Sequence, residues 1–107
     1  MAIKFRGASG NEYNFEGYYT STNPLKSNQG IYSILDNTDS KYYVKDVGQA
    51  GDIKNRITTH DRKDQWDKNC KGTICLAVMY TLGCTEQQRC AIESDIRANY
   101  NPPCGDR

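Results

Sequence analysis

The sequence predicts a small α+β domain in which helices flank a mainly antiparallel, three-stranded sheet. Apolar and polar residues alternate on both sides of a polar turn between residues 30 and 48, which is the pattern of a β-hairpin. A nearly continuous apolar run at 73–80 is bounded by turn residues and is typical of a strand covered on both faces. Residues that cap helix N-termini follow both segments, which places helices around the predicted strands.

The hairpin begins at Gly30, turns at residues 37–40 and ends at Gly48. Successive side chains of a strand point to opposite faces of the sheet. Tyr32 and Ile34 are therefore predicted to share one face of the first strand. The other face is predicted to carry Ile31, Ser33 and Leu35.

A helix signal follows the hairpin. Asp52 is a predicted N-cap, because its side chain can accept a hydrogen bond from the first turn of a helix that extends to about His60. The charged stretch 61–67 predicts a second short helix or a loop, which Trp66 anchors on the core.

The last helix has signals at both ends. Thr85 and Gln88 form a predicted capping box. Pro102 and Pro103 cannot continue a helix and end it near Tyr100.

Length and composition indicate one domain. A chain of 107 residues can form one core and has little room for a separate recognition module. We assign this domain to residues 30–107. Residues 1–29, rich in Gly, Ser, Asn and Tyr, are predicted to be a loosely structured extension with a short strand at 13–15. The sequence contains neither a membrane-spanning stretch nor an apolar signal-peptide core, which predicts a cytoplasmic protein.

Positive charge is concentrated in one segment. The formal net charge is only +1, yet residues 41–72 contain eight Lys or Arg against five Asp. A basic surplus suits phosphate contacts, and a solvated helix face with mixed charges explains it equally well.

The five cysteines include no CxxC pair, which indicates reduced thiols that serve as small apolar residues. A metal site formed by Cys70, Cys75 and Cys104 is the alternative.

Three segments occur in a distinctive order along the chain: "GIYSIL", "DVGQAGDIKNRITTH" and "AIESDIRANYNPPCG". In this order they resemble the GIY-YIG nuclease family, whose hairpin strands carry "GIY" and "YIG" and whose next helix carries an arginine and often a histidine. The resemblance covers roughly Gly30 to Gly105. It implies a GIY-YIG nuclease-like fold.

The resemblance also implies roles for four residues. Tyr32 of "GIY" would act as general base or position the attacking water. Arg56 would hold the scissile phosphate, for which a planar guanidinium is suited. His60, four residues further on the same helix face, would be catalytic, and a partly buried structural histidine is the alternative. Glu93 would be the protein ligand of Mg²⁺ or Mn²⁺.

Spacing alone offers another explanation for Glu93. Arg89 and Arg97 lie four residues before and after it, so the same glutamate could be a surface ion-pair partner on a helix.

A tyrosine has a reference pKa of ~10, so a base near neutral pH needs a group that favours its phenolate. Lys45, on the paired strand, is predicted to be that cation and is included among the catalytic residues. The basic segment after His60 is predicted to contact the substrate through Arg62, Lys63 and Lys68.

The chain departs from the family in the second motif. Asp46 stands where "YIG" would begin with tyrosine. Either Asp46 replaces that tyrosine, in contact with the metal or with Lys45, or Tyr42 reaches the site from the same face. Tyr43 lies at the usual spacing from "GIY", but only a β-bulge would bring it to that face. Gly105 also departs, because relatives often have asparagine there.

These observations predict a Mg²⁺- or Mn²⁺-dependent endonuclease that hydrolyses DNA by direct attack of water at one metal ion. RNA is the alternative substrate, and a homodimer or an inhibitor protein are partners that the sequence does not itself indicate. The alternative functions are a catalytically idle module that binds nucleic acid or protein, and a toxin-type nuclease.

Overall fold

The chain forms five strands and three helices within residues 2–60 and 62–105, the part that this computed structural model describes. In chain order these elements are β1 (Ala2–Arg6), β2 (Glu12–Tyr19), β3 (Gly30–Thr38), β4 (Lys41–Ala50), α1 (Ile53–Thr58), α2 (Lys63–Asn69), β5 (Thr73–Tyr80) and α3 (Glu86–Tyr100). The predicted α+β class is confirmed. Among the described residues, no helix is both long and apolar enough to cross a lipid bilayer.

All strands belong to one sheet in the order β1-β2-β5-β3-β4, and every neighbouring pair is antiparallel. The prediction of a three-stranded sheet was therefore wrong. Residues 2–29 are also not a loose extension, because they supply β1 and β2, and β2 pairs with β5 at Glu16 and Val78. The predicted strand at 13–15 lies inside β2. Pairing with β5 is what orders this segment, and a pairing partner distant in the chain leaves no local pattern.

Both faces of the central strand β5 are buried, as its apolar run predicted. Leu76 and Val78 pack with Tyr32 and Ile34 in one core, which α1 and α2 cover through Ile53, Ile57 and Trp66. The second core lies on the opposite face of the sheet. There, Cys75 and Ala77 pack with Ile31, Leu35 and Ile96 of α3.

The hairpin turn is tighter than predicted. It consists of Asp39 and Ser40, which both have positive φ, 55° and 64°, as a two-residue turn between twisted strands requires.

A β-bulge at Lys45 changes the faces of the second hairpin strand. Ile34 pairs with Asp46 and Leu35 pairs with Val44, so Lys45 is an extra residue in β4. Val44 and Val47 consequently contact the same core although they are three residues apart. Residues before the bulge lie on the face opposite to the one that regular alternation predicts.

The helix caps follow the sequence. The Asp52 carboxylate accepts a hydrogen bond from the Asn55 amide at 3.1 Å, although α1 ends at Thr58, before His60. Thr85 and Gln88 form the predicted capping box, and α3 ends at Tyr100 as expected. The predicted helix around Trp66 is α2, while Asp61, at the start of that stretch, lies outside the described residues.

Candidate functional site

A tyrosine–histidine pair lies between β3 and the start of the α1–α2 connection. The Tyr32 hydroxyl is 2.5 Å from His60 Nε2, and their side chains are only 1% and 4% exposed. Gly48 is the cross-strand neighbour of Tyr32 and leaves space for its ring. The hairpin and the connection after α1 therefore bring together two side chains that are 28 positions apart.

The second ring nitrogen of His60 determines the direction of this hydrogen bond. His60 Nδ1 accepts a hydrogen bond from the backbone N–H of Arg62 at 3.0 Å. In the neutral ring the proton therefore resides on Nε2, which donates to the Tyr32 oxygen. The histidine is thus oriented to stabilise negative charge on Tyr32.

Four charged side chains act on the Tyr32 hydroxyl. Burial raises the pKa of Tyr32 to about 12; Arg62 and Arg56 oppose this rise, and Asp46 and Glu93 add to it. Of the predicted site residues, His60 contacts Tyr32, while Arg56 and Glu93 lie close enough for their charges to act on its pKa. The expected lowering of its pKa was wrong, because removal of the hydroxyl from water outweighs the nearby arginines.

Asp46 is the most enclosed charged group near Tyr32. Its carboxylate is fully buried and accepts hydrogen bonds from Arg62 Nε at 2.9 Å, Trp66 Nε1 at 2.7 Å and Arg97 Nη1 at 3.0 Å. These donors neutralise the charge and occupy both oxygens. Asp46 is therefore not oriented towards Lys45 or towards a metal position, as one sequence alternative proposed.

Glu93 differs from its helical neighbours Arg89 and Arg97. Both arginines are buried: Arg89 donates to Gln49 and Gln29, and Arg97 donates to Asp46. The hydrogen bonds described for both arginines thus go to partners other than Glu93, which does not favour the surface ion-pair explanation. Burial raises the pKa of Glu93 against the lowering effects of Arg97 and Arg62, with Asp46 adding to the rise.

Among the described residues, the candidate ligand for a divalent cation is the single carboxylate of Glu93. Among the described residues there is no cluster of three His, Cys, Asp or Glu side chains that could enclose a metal, which also removes the alternative site at Cys70, Cys75 and Cys104. No described side chain donates a hydrogen bond to Glu93, whose carboxylate is half-buried. One carboxylate completed by water and substrate phosphate is a common way to hold Mg²⁺.

Lys45 is placed away from Tyr32. The bulge directs it to a cavity of about 240 Å³ that it lines with Asp36, Tyr43 and Lys71, among others. Burial opposes a lowered pKa of Asp36, but hydrogen bonds from Lys71, Thr38 and Gly72 lower it, and the nearby Lys45 charge makes a smaller contribution in the same direction. The structure therefore corrects the prediction that Lys45 is the cation beside Tyr32.

The two tyrosines proposed for the second motif are also outside the site. Tyr42 lies on the opposite face from Asp46, because of the bulge, and stacks on Tyr18 with ring centroids 3.6 Å apart. Tyr43 is on the face of Tyr32, but it pairs with Asp36, four residues further along β3.

The predicted substrate-binding residues have three different environments. Arg62 reaches the site, but its guanidinium is bound to Asp46 and its side chain is only 19% exposed. The exposed Lys63 donates to the Thr58 carbonyl at 2.6 Å. Lys68 is an exposed residue of α2. Of the three, Lys68 best fits a contact to a passing phosphate.

Sequence reasoning missed Arg97 and the hydrogen bond of Trp66 as parts of the site. The spacing of Arg97 from Glu93 was visible, but a charged helix residue is usually solvated. Its burial depends on Asp46 lying opposite, which is a tertiary contact.

Gly48 offers a direct test of how tightly Tyr32 is held. A Cβ at this position would lie 2.2 Å from the Tyr32 hydroxyl oxygen, so we expect Gly48→Ala to displace the ring and to cost about 1–3 kcal/mol of unfolding free energy, as overpacking does. Urea denaturation measures the loss. The matched control is Gly51→Ala, because a Cβ at Gly51 meets nothing within 4 Å. Equal stability of the two variants would contradict the packing of Tyr32 against Gly48.

Comparisons of the chain with models of protein families, with curated proteins and with solved structures return no match. The likeness to the GIY-YIG family consequently rests on the three sequence segments and remains a prediction. The chemistry of the site is the remaining guide to function.

Proposed function

We propose that this protein is a divalent-metal-dependent endonuclease that hydrolyses phosphodiester bonds of DNA. The observation that carries the proposal is the Tyr32–His60 pair, with a hydrogen bond of 2.5 Å. Arg56 and Glu93, from two other elements, are close enough to affect the pKa of Tyr32. A base, an arginine and a carboxylate are the groups that this hydrolysis needs.

Tyr32 would receive the proton of the attacking water. Its phenolate oxygen is the acceptor, and the N–H of His60 donates to the same oxygen, which favours the phenolate over the neutral hydroxyl. His60 thus takes the role that the sequence had suggested for Lys45. The hydrogen bond from the Arg62 backbone keeps the His60 proton on Nε2.

Arg56 would bind the phosphate under attack. It lies in the last turn of α1, half-buried, and its charge opposes the rise in the pKa of Tyr32. A guanidinium at this position can donate two parallel hydrogen bonds to non-bridging oxygens and so orient the phosphorus towards the water.

Glu93 would hold the metal ion. Mg²⁺ or Mn²⁺ bound there would stabilise negative charge on the phosphate oxygens and on the leaving group. Glu93 is half-buried on α3, where the charges of Arg97, Arg62 and Asp46 act on its pKa.

One observation favours a second function. The Tyr32 side chain is 1% exposed, so water and phosphate reach its hydroxyl only if a neighbouring group moves. A catalytically idle module, which binds nucleic acid through exposed basic residues such as Lys68, requires no such movement.

Metal removal distinguishes the two functions. We expect the purified protein to convert supercoiled plasmid to the relaxed form in Mg²⁺ or Mn²⁺. EDTA should stop this activity and excess Mg²⁺ should restore it, because the proposed reaction requires a metal ion bound at Glu93. Gel electrophoresis gives the rate, and a filter-binding assay in EDTA gives the affinity. Binding without cleavage under every metal condition would support the idle module and reject the nuclease.

A further inference from the structure

One hydrogen-bonded chain connects Tyr32 to the helix that carries Glu93. Tyr32 is bonded to His60 Nε2, and His60 Nδ1 accepts from the Arg62 backbone. The Arg62 side chain then donates to Asp46, which also accepts from Arg97 of α3. Arg97 lies one helical turn after Glu93. Asp46 therefore links the part of the candidate site that contains Tyr32 and His60 to the helix that carries Glu93.

Asp46 also joins three elements of the fold. It belongs to the edge strand β4, and the indole N–H of Trp66 bonds it to α2. Arg97 binds α3 to the same strand, because it donates to the Val47 carbonyl in addition to Asp46. Both helices that flank the site are thus held at one residue of β4.

The charges make Asp46 hard to replace. Its carboxylate has no exposed surface and lies between two guanidiniums, whose side chains are 19% and 6% exposed. Removal of the acid would take a hydrogen-bonded counterion from two largely buried guanidiniums, and breaking a buried ion pair in this way is strongly destabilising. The guanidiniums would then move towards other acceptors or towards water.

We propose that Asp46 is a positioning residue that holds His60 and Glu93 in register around Tyr32. This inference rests on the proposed nuclease function, and it replaces the role in the chemistry that the second motif suggested for this position. Asp46 cannot touch the substrate itself, because protein donors occupy both its oxygens.

Two aspartates provide a matched pair for the test. Asp36 is also buried in the hairpin, 2% exposed, and accepts hydrogen bonds from Thr38, Lys71 and Gly72. It is not among the charges that act on Tyr32 or Glu93. Asp36→Asn therefore removes another buried carboxylate of the hairpin without touching the chain of hydrogen bonds that leads to Tyr32.

The readouts use the single histidine and the single tryptophan of the sequence. Their side-chain ¹⁵N NMR signals are assigned without ambiguity and report the hydrogen bonds of His60 and of the Trp66 indole in the folded protein. Steady-state cleavage of a short DNA duplex in Mg²⁺ gives kcat and KM per folded molecule, with the folded fraction taken from circular dichroism.

We expect Asp46→Asn to change the His60 and Trp66 signals and to lower kcat about 10–100-fold with little change in KM, as loss of a supporting hydrogen bond does. Asp36→Asn should leave both signals and kcat close to wild type. Wild-type His60 signals and kcat in Asp46→Asn, or equal losses in both variants, would overturn the proposal. If the wild-type protein cleaves nothing, the nuclease function fails, while the NMR signals still decide whether Asp46 positions His60.

A second variant keeps the proposal testable if Asp46→Asn does not fold. Arg97→Lys retains the positive charge beside Asp46 but cannot reach Asp46, Val47 and Cys104 together. We expect His60 signals like those of wild type, because the His60 side of the chain passes through Arg62, together with a roughly tenfold loss of kcat. A wild-type kcat in Arg97→Lys would overturn the positioning of Glu93 through this contact.

Discussion

Glu93→Gln should abolish metal-dependent cleavage, with a loss of about 10²–10³-fold in rate. A bound metal ion contributes several kcal/mol to stabilising the transition state, and about 1.4 kcal/mol corresponds to a factor of ten. Glutamine keeps the volume of the side chain and removes the charge that binds the cation. Plasmid cleavage over a range of Mg²⁺ concentrations measures the loss.

The fold should survive this change. Because burial raises the pKa of Glu93, the folded state disfavours its charged form at neutral pH, and glutamine should leave the melting temperature equal to that of wild type or higher. Glu86→Gln, at an exposed position in the first turn of the same helix, is the control and should cleave normally. Undiminished cleavage by Glu93→Gln would remove the metal ligand from the mechanism.

Tyr32→Phe should lower the cleavage rate about 10²–10⁴-fold, the range that general acid–base catalysis usually contributes. The aromatic ring stays in the core, so the variant loses one hydrogen bond to His60, at a cost of about 1 kcal/mol. Initial rates and thermal unfolding measure the two effects. Tyr80→Phe also loses one hydrogen bond, from the Lys26 backbone, and should retain wild-type activity. A rate near wild type in Tyr32→Phe would exclude Tyr32 as the base.

The pH dependence adds a second measurement on the same residue. With a pKa of about 12, roughly 10⁻⁵ of Tyr32 is ionised at pH 7 in the free protein. The phenolate fraction then increases tenfold per pH unit, so the wild-type rate should rise towards alkaline pH and not level off below pH ~10. Lys45→Met should give the same profile, because the Lys45 charge lies beside Asp36. A Lys45→Met profile shifted to higher pH would show that the Lys45 charge does lower the pKa of Tyr32.

Much of the candidate site was predictable because its residues lie in segments with strong local patterns. Tyr32 is in an alternating strand, and Arg56 and His60 follow the capped start of α1. Glu93 lies on a helix with a capping box at its start. The proximity of these residues in space was predicted only through the family resemblance.

The β-bulge at Lys45 could not be predicted from the local sequence. Alternation in β4 predicted Tyr42 on the face of Asp46, and one extra residue at Lys45 reversed that prediction. A bulge is an outcome of how two strands pair, since the extra residue has no partner and leaves no periodic signal.

The sequence by itself determined the α+β class, the hairpin, the central strand and the caps of α1 and α3, because hydrophobic period and capping chemistry act between residues close in the chain. Only the tertiary structure decided that residues 2–19 complete the sheet and that Asp46 binds Arg62, Trp66 and Arg97. Strand pairing and the neutralisation of a buried charge depend on which distant groups pack together. Those contacts are selected by the free energy of the whole fold.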